Sequence, residues 1–232
     1  MINKIFPFSI LLALLTSSYA QAESTAAQSA KPLTPDNMNH LFYTPTTRVN
    51  DKDEITISFH EAAYGLGNKV QVQFSLFDNV GRSNFGIKYQ LADSFVLGAG
   101  LGATFASLPN GNHGLHSNDK RIALYLTKQV ANTKSTDVYF TGHTQIGDVA
   151  SFGLDLGINI KQAPNFNIIL EAGTSYDTNS ENLYMNADGG LRIFPETIPN
   201  TYFDFGLDYS DFNFTLNGEK NIKIYLDAGY HF

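Results

Sequence analysis

Residues 151–161 read Ser-Phe-Gly-Leu-Asp-Leu-Gly-Ile-Asn-Ile-Lys. Phe152, Leu154, Leu156, Ile158 and Ile160 share one side of an extended chain. Ser151, Gly153, Asp155, Gly157, Asn159 and Lys161 share the other. Successive side chains of a β-strand point to opposite faces, so this period of two means two different environments. The stretch is also long. Strands of soluble sheets typically run about 5 or 6 residues, whereas a tilted strand needs about 9 to 11 to cross a bilayer. A long apolar row backed by charges, amides and glycines suits a sheet with hydrocarbon on one side and a polar interior on the other.

The same pattern repeats in both directions. Downstream, Phe166, Ile168, Leu170, Ala172, Thr174 and Tyr176 oppose Asn167, Glu171, Gly173, Ser175 and Asp177, with Ile169 breaking the polar row. Leu183, Met185, Ala187, Leu191 and Ile193 then oppose Asn186, Asp188, Gly190 and Arg192, and Phe203, Phe205, Leu207 and Tyr209 oppose Asp204, Gly206 and Asp208. Upstream, Phe85, Ile87, Tyr89 and Leu91 oppose Gly86, Lys88 and Gln90, and Leu97, Ala99 and Leu101 oppose Gly98, Gly100 and Gly102. About eleven such segments start near residues 54, 69, 83, 95, 120, 136, 150, 166, 183, 201 and 221. Short links at 92–94, 132–135, 163–165 and 195–200 alternate with longer polar ones at 110–119, 178–182 and 211–221, as short turns and long outer loops do in membrane barrels. The short link at Gly147-Asp148 falls on the long side and breaks the rule.

Hydrocarbon offers no partner to an exposed backbone polar group, so such a sheet must close on itself. The reading is an all-β, closed antiparallel transmembrane barrel of residues 54–232. With both ends on the short-turn side the strand number is even. Ten strands are expected, with the 54–64 segment outside the barrel or capping it. Eight and twelve are the alternatives, twelve requiring a further strand within 41–49.

Composition agrees. Charged residues are 16% of the 232, against about 25% in soluble proteins. The net charge of −7 provides no basic footprint for nucleic acid. The absence of Cys removes disulfides, thiolate nucleophiles and thiolate metal ligands. At the N-terminus Lys4, the apolar stretch from Ile5 to Leu15 and the small-x-small run Ala20-Gln21-Ala22 form a secretory signal pattern over residues 1–22. Residues 23–53 read as a flexible N-terminal segment, rich in Ser, Thr, Ala, Pro and Asn up to about His40.

The chain ends on Ile222, Ile224, Leu226, Ala228, Tyr230 and Phe232, alternating to the last residue. This strand resembles the C-terminal strand of bacterial outer-membrane β-barrel proteins. The resemblance implies that Leu226, Ala228, Tyr230 and Phe232 form the signal read by the barrel-assembly machinery. It also implies an outer-membrane location, contact with outer-membrane lipid, and a small porin-like class of barrel. It covers residues 54–232 and points to no single family within the class.

The polar rows become the candidate lumen: Lys88, Arg121, Asp155, Lys161, Glu171, Asp188, Arg192, Asp204, Lys223 and Asp227, with Lys69, Asp137, Asp177 and Asp208, and His143 and His231 if their strands are so phased. Charges in so narrow a space must pair or meet water. Two readings stand level. One is a hydrated, weakly cation-preferring pore for ions or small polar solutes. The other is a plugged barrel, its interior occupied by side chains or by the N-terminal segment, which acts through its outer loops. A rim enzyme ranks third. His113, His116 and Asp119 share one loop and Asp208 and Asp211 lie near another, but the chain has no hydrolase or nucleotide-binding signature. Gly98-Ala99-Gly100-Leu101-Gly102 sits inside an alternating strand and serves packing. The expectation is a non-enzymatic barrel that needs no cofactor and no metal.

Overall fold

The computed structural model describes residues 38, 40–59, 61–75, 85–101, 122–146, 150–178, 181–211 and 220–232. The signal pattern with Ala20 and Ala22, the lumen candidate Arg121 and the loop residues His113, His116 and Asp119 lie outside the described residues.

Twelve antiparallel strands close into one barrel: β1 (Ile55–Ser58), β2 (Glu61–Gly67), β3 (Val70–Ser75), β4 (Phe85–Ala92), β5 (Phe95–Leu101), β6 (Ile122–Asn132), β7 (Thr136–Ile146), β8 (Ser151–Ala163), β9 (Phe166–Asp177), β10 (Asn182–Ile193), β11 (Thr201–Asp211) and β12 (Lys220–His231). Each strand pairs with its neighbours in sequence, and β1 meets β12 with Ile57 opposite Tyr230. The last residue locks this seam: the Phe232 amide donates to the Ile55 carbonyl at 2.8 Å.

The expected count of ten gives way to twelve, and the extra strand is not within 41–49. The 54–64 segment is instead part of two wall strands, β1 and β2. In β1 the inward residues are Thr56 and Ser58; in β2 they are Ala63 and Gly65, so the parity of the inward row changes between the two strands. One strand cannot change sides in mid-run, because a one-residue slip moves every side chain to the other face. The chain therefore turns around Phe59, and Thr56 pairs with Ala63.

Outside, the apolar rows stand exposed as a continuous belt. Phe85, Ile87, Leu97, Leu124, Phe140, Leu154, Leu170, Phe205, Leu207, Ile224 and Leu226 all belong to it. In water so large an apolar surface would be a liability; in hydrocarbon it is the required exterior. Lys128 is an exposed charge on this side, at the short-turn end of β6, where its ammonium lies 5.2 Å from the centre of the Phe95 ring.

Inside, the expected lumen is not empty. Residues 40–50 enter it, although composition groups them with a flexible segment ahead of the barrel. Leu41, Phe42, Thr44, Thr46, Thr47, Val49 and Asn50 are all buried. Met38 packs with Phe194 and Tyr202 near the short-turn rim, and Val49 packs with Val96, Ala123 and Tyr125. Leu41 and Phe42 pack with Tyr139, Ile169 and Tyr225. The Leu41 amide donates to the Thr44 carbonyl at 2.9 Å, which tightens the segment into a re-entrant finger.

Candidate functional site

The lumen is built by the polar rows as sequence parity dictates. Lys88, Asp155, Glu171, Asp188, Arg192, Asp204 and Asp227 are buried on the inner face, and Lys161 joins them at its edge. Lys223 occupies the position across from Asp208 in the β11–β12 register; its side chain is outside the description. Lys69 departs from expectation. It sits in the turn between β2 and β3 with a positive φ of 64°, exposed and 3.9 Å from Asp93 at the rim.

Several of the inner charges have partners within hydrogen-bond reach. Arg192 donates to Asp204 through Nε at 2.7 Å and Nη2 at 2.6 Å. Lys161 Nζ lies 2.9 Å from Asp137, and His143 Nε2 lies 3.2 Å from Asp155. Asp227 accepts from the Phe59 amide at 3.0 Å and from the Tyr202 hydroxyl at 3.1 Å. At the base of the finger Arg48 pairs with Glu54 at 3.2 Å, and the Thr56 hydroxyl lies 2.9 Å from His231 Nδ1.

One band has a different character. Glu171 of β9, Asp188 of β10 and Asp208 of β11 are directly opposite one another in register, and all three are buried. Like charges placed directly across a sheet oppose folding. Glu171 is compensated by the finger: the Tyr43 amide donates to its two oxygens at 3.2 and 3.0 Å, and the Thr44 amide donates at 2.6 Å. The band therefore gathers three carboxyl groups halfway along the lumen, with two finger amides on Glu171 and Lys223 next in the register across from Asp208. Among the described residues no group of three or more His, Asp or Glu is placed to hold a metal ion.

Sequence reading missed the residues that receive the finger. Tyr125, Tyr139, Tyr202 and Tyr225 fall on the polar parity of their strands, as does Ile169, and all are buried against residues 38–49 or close to them. Apolar rings and Ile169 on a supposedly wet face were the available signal: something apolar had to meet them. Gly157 and Gly206 were equally informative. A Cβ at Gly157 would run into Leu41 and Thr44, and one at Gly206 into the Phe42 ring.

No family model matches the chain, and no curated protein matches it. In structure it is similar to the COG4313 outer membrane channel from Pseudomonas putida F1, at 12% identity and a TM-score of 0.53, covering 79% of this chain and 97% of that one. It is also similar to the outer membrane channel DcaP of Acinetobacter baumannii (14% identity, TM-score 0.40, 74% of this chain and 62% of that one). A third is a loop L8 deletion mutant of OmpT, an outer membrane protein of Vibrio cholerae (9% identity, TM-score 0.39, 74% and 62%). The chain spans less than two thirds of the last two. At these identities the likeness is one of fold, a closed antiparallel β-barrel of the kind that outer-membrane proteins form.

Proposed function

We propose that this chain is an outer-membrane channel that passes ions and small polar solutes by passive diffusion, with a preference for cations, through a lumen narrowed by residues 40–50. The observation that carries the reading is the acidic band of Glu171, Asp188 and Asp208 on the inside of a barrel whose outside is apolar. Twelve strands enclose more room than the eight that side chains alone can fill, and less than the 16 to 18 of wide aqueous pores. The protein works without a cofactor and without catalysing a reaction. It is exported by its N-terminal signal, and the barrel-assembly machinery reads its last strand through Leu226, Ala228, Tyr230 and Phe232.

The occupied lumen favours a second reading, a sealed barrel that acts through its outer loops. Conductance separates the two. Folded protein in a planar bilayer is expected to show discrete steps with cation preference. That preference should weaken when Asp188 and Asp208 of the band are neutralised. Silence from protein shown to be inserted and folded supports the sealed barrel instead.

A further inference from the structure

We infer that residues 40–50 are a displaceable gate and that Glu171 is its latch, an inference that rests on the channel reading above. The finger lies in the lumen without belonging to the sheet. Its one bridge is internal, between His40 and Pro45. The twelve strands pair continuously around the barrel with no ladder bond supplied by residues 40–50. Withdrawal therefore breaks no rung of the wall.

The finger is held by apolar packing of Leu41, Phe42 and Val49, by side-chain bonds of Arg48 to Glu54 and of Asn50 to Thr56 and the Ala63 carbonyl at its base, and by bonds from its backbone to polar side chains of the wall. Glu171 takes the Tyr43 and Thr44 amides at the tip. Arg192 donates to the His40 carbonyl at 2.8 Å and the Leu41 carbonyl at 3.1 Å. Gln71 accepts from the Asn50 amide at 2.8 Å. Water can replace the finger at each of these side chains, and Arg192 keeps its partner Asp204 when the segment leaves. Four of the wall's rings against this stretch are tyrosines, whose hydroxyls tolerate a wet lumen.

Of these holding groups, Glu171 is the anion that grips the tip. Its carboxyl oxygens accept from two successive amides of the finger. Glu171 is also the first member of the acidic band. Lifting the tip uncovers that band, so the group that holds the gate shut becomes part of the cation path once it opens. The wall is recessed for the tip at Gly157, which gives a second and uncharged way to dislodge it.

The test uses the full-length folded protein in planar bilayers, with folding confirmed by heat-modifiable gel mobility. Four forms are compared: unmodified protein, Glu171→Gln, Gly157→Val and a deletion of residues 38–50. Glu171→Gln removes the anion that grips the tip, and Gly157→Val crowds its socket. Each is expected to raise the open fraction about tenfold. Thr44→Cys, in a chain with no native Cys, adds an independent readout. Thr44 is fully buried, so a small water-soluble methanethiosulfonate should reach this thiol only when the finger is out, and faster in the Glu171→Gln background. If the deletion conducts while Glu171→Gln and Gly157→Val leave both current and labelling unchanged, the finger is a fixed constriction and the gate is overturned. If the deletion is also silent, the channel reading fails and the gate fails with it.

Discussion

Arg192 of β10 and Asp204 of β11 stand directly across from each other in the register, fully buried, and meet through two hydrogen bonds of 2.7 and 2.6 Å. The guanidinium also spans inward to two carbonyls of the finger and lies 4.7 Å from the centre of the Tyr202 ring. One side chain thus ties the wall, the finger and an aromatic neighbour together. This geometry needs the planar fork of Arg, which Lys lacks.

Removing one partner of that pair is expected to be costly. Asp204→Ala leaves a buried guanidinium without its carboxylate, a loss of about 3 to 5 kcal/mol. Urea unfolding of the protein in detergent micelles checks this. An unchanged midpoint would mean that the finger's carbonyls and Tyr202 alone suffice to hold Arg192.

The facing of β8 gives a second prediction. Leu156 is exposed on the belt, and Asp155 is buried beside His143. Leu156→Arg should prevent membrane assembly, since a charge on the lipid face near the midplane costs about 2 to 4 kcal/mol. Asp155→Asn keeps shape and hydrogen-bonding capacity and should assemble normally. The yields of heat-modifiable protein report both, and equal yields for the pair would refute the facing.

Gly98 lies opposite Tyr125 across β5 and β6, and the Tyr125 ring covers the place where a Cβ would stand. Gly98→Val should therefore destabilise the barrel by about 1 to 3 kcal/mol through overpacking. Tyr125→Ala added to it should recover part of the loss by removing the obstacle. A double-mutant cycle in urea measures the coupling, and additive losses would show that the ring moves aside freely.

Phe232 has two separable tasks. Its backbone closes the β1–β12 seam, and its ring, 4.6 Å from that of Tyr230, is part of the expected assembly signal. Phe232→Ala keeps the backbone bonds. It should refold in detergent like the unmodified protein yet reach the membrane poorly in cells. Equal losses in both settings would make the ring structural and not a signal.

Much of the wall could be read from alternation alone. The outward rows of β8, β9, β10 and β11 are those that parity assigns, down to Ile169 as the exception. The same reading failed at residues 54–67, where two short strands of opposite parity pass for one segment. Residues 40–50, grouped by the sequence with a flexible N-terminal segment and offered as one occupant of the lumen, lie inside the barrel, where Leu41, Phe42 and Val49 carry the apolar contacts.

By itself, then, the chain's order of residues determined the apolar outer and polar inner rows of the long strands from β6 to β12, but not the two strands at residues 55–67 nor the tyrosines that receive the finger. The reason is local: in a sheet between hydrocarbon and a polar interior, a side chain's environment follows from parity, and parity is visible in a dozen residues. Only the tertiary structure decided how many strands close the ring, that Arg192 meets Asp204, and that the Tyr43 amide reaches Glu171 from 128 residues away. Those outcomes depend on register and closure, which bring remote residues to one height inside the barrel, and no local periodicity encodes the height at which a free segment comes to rest.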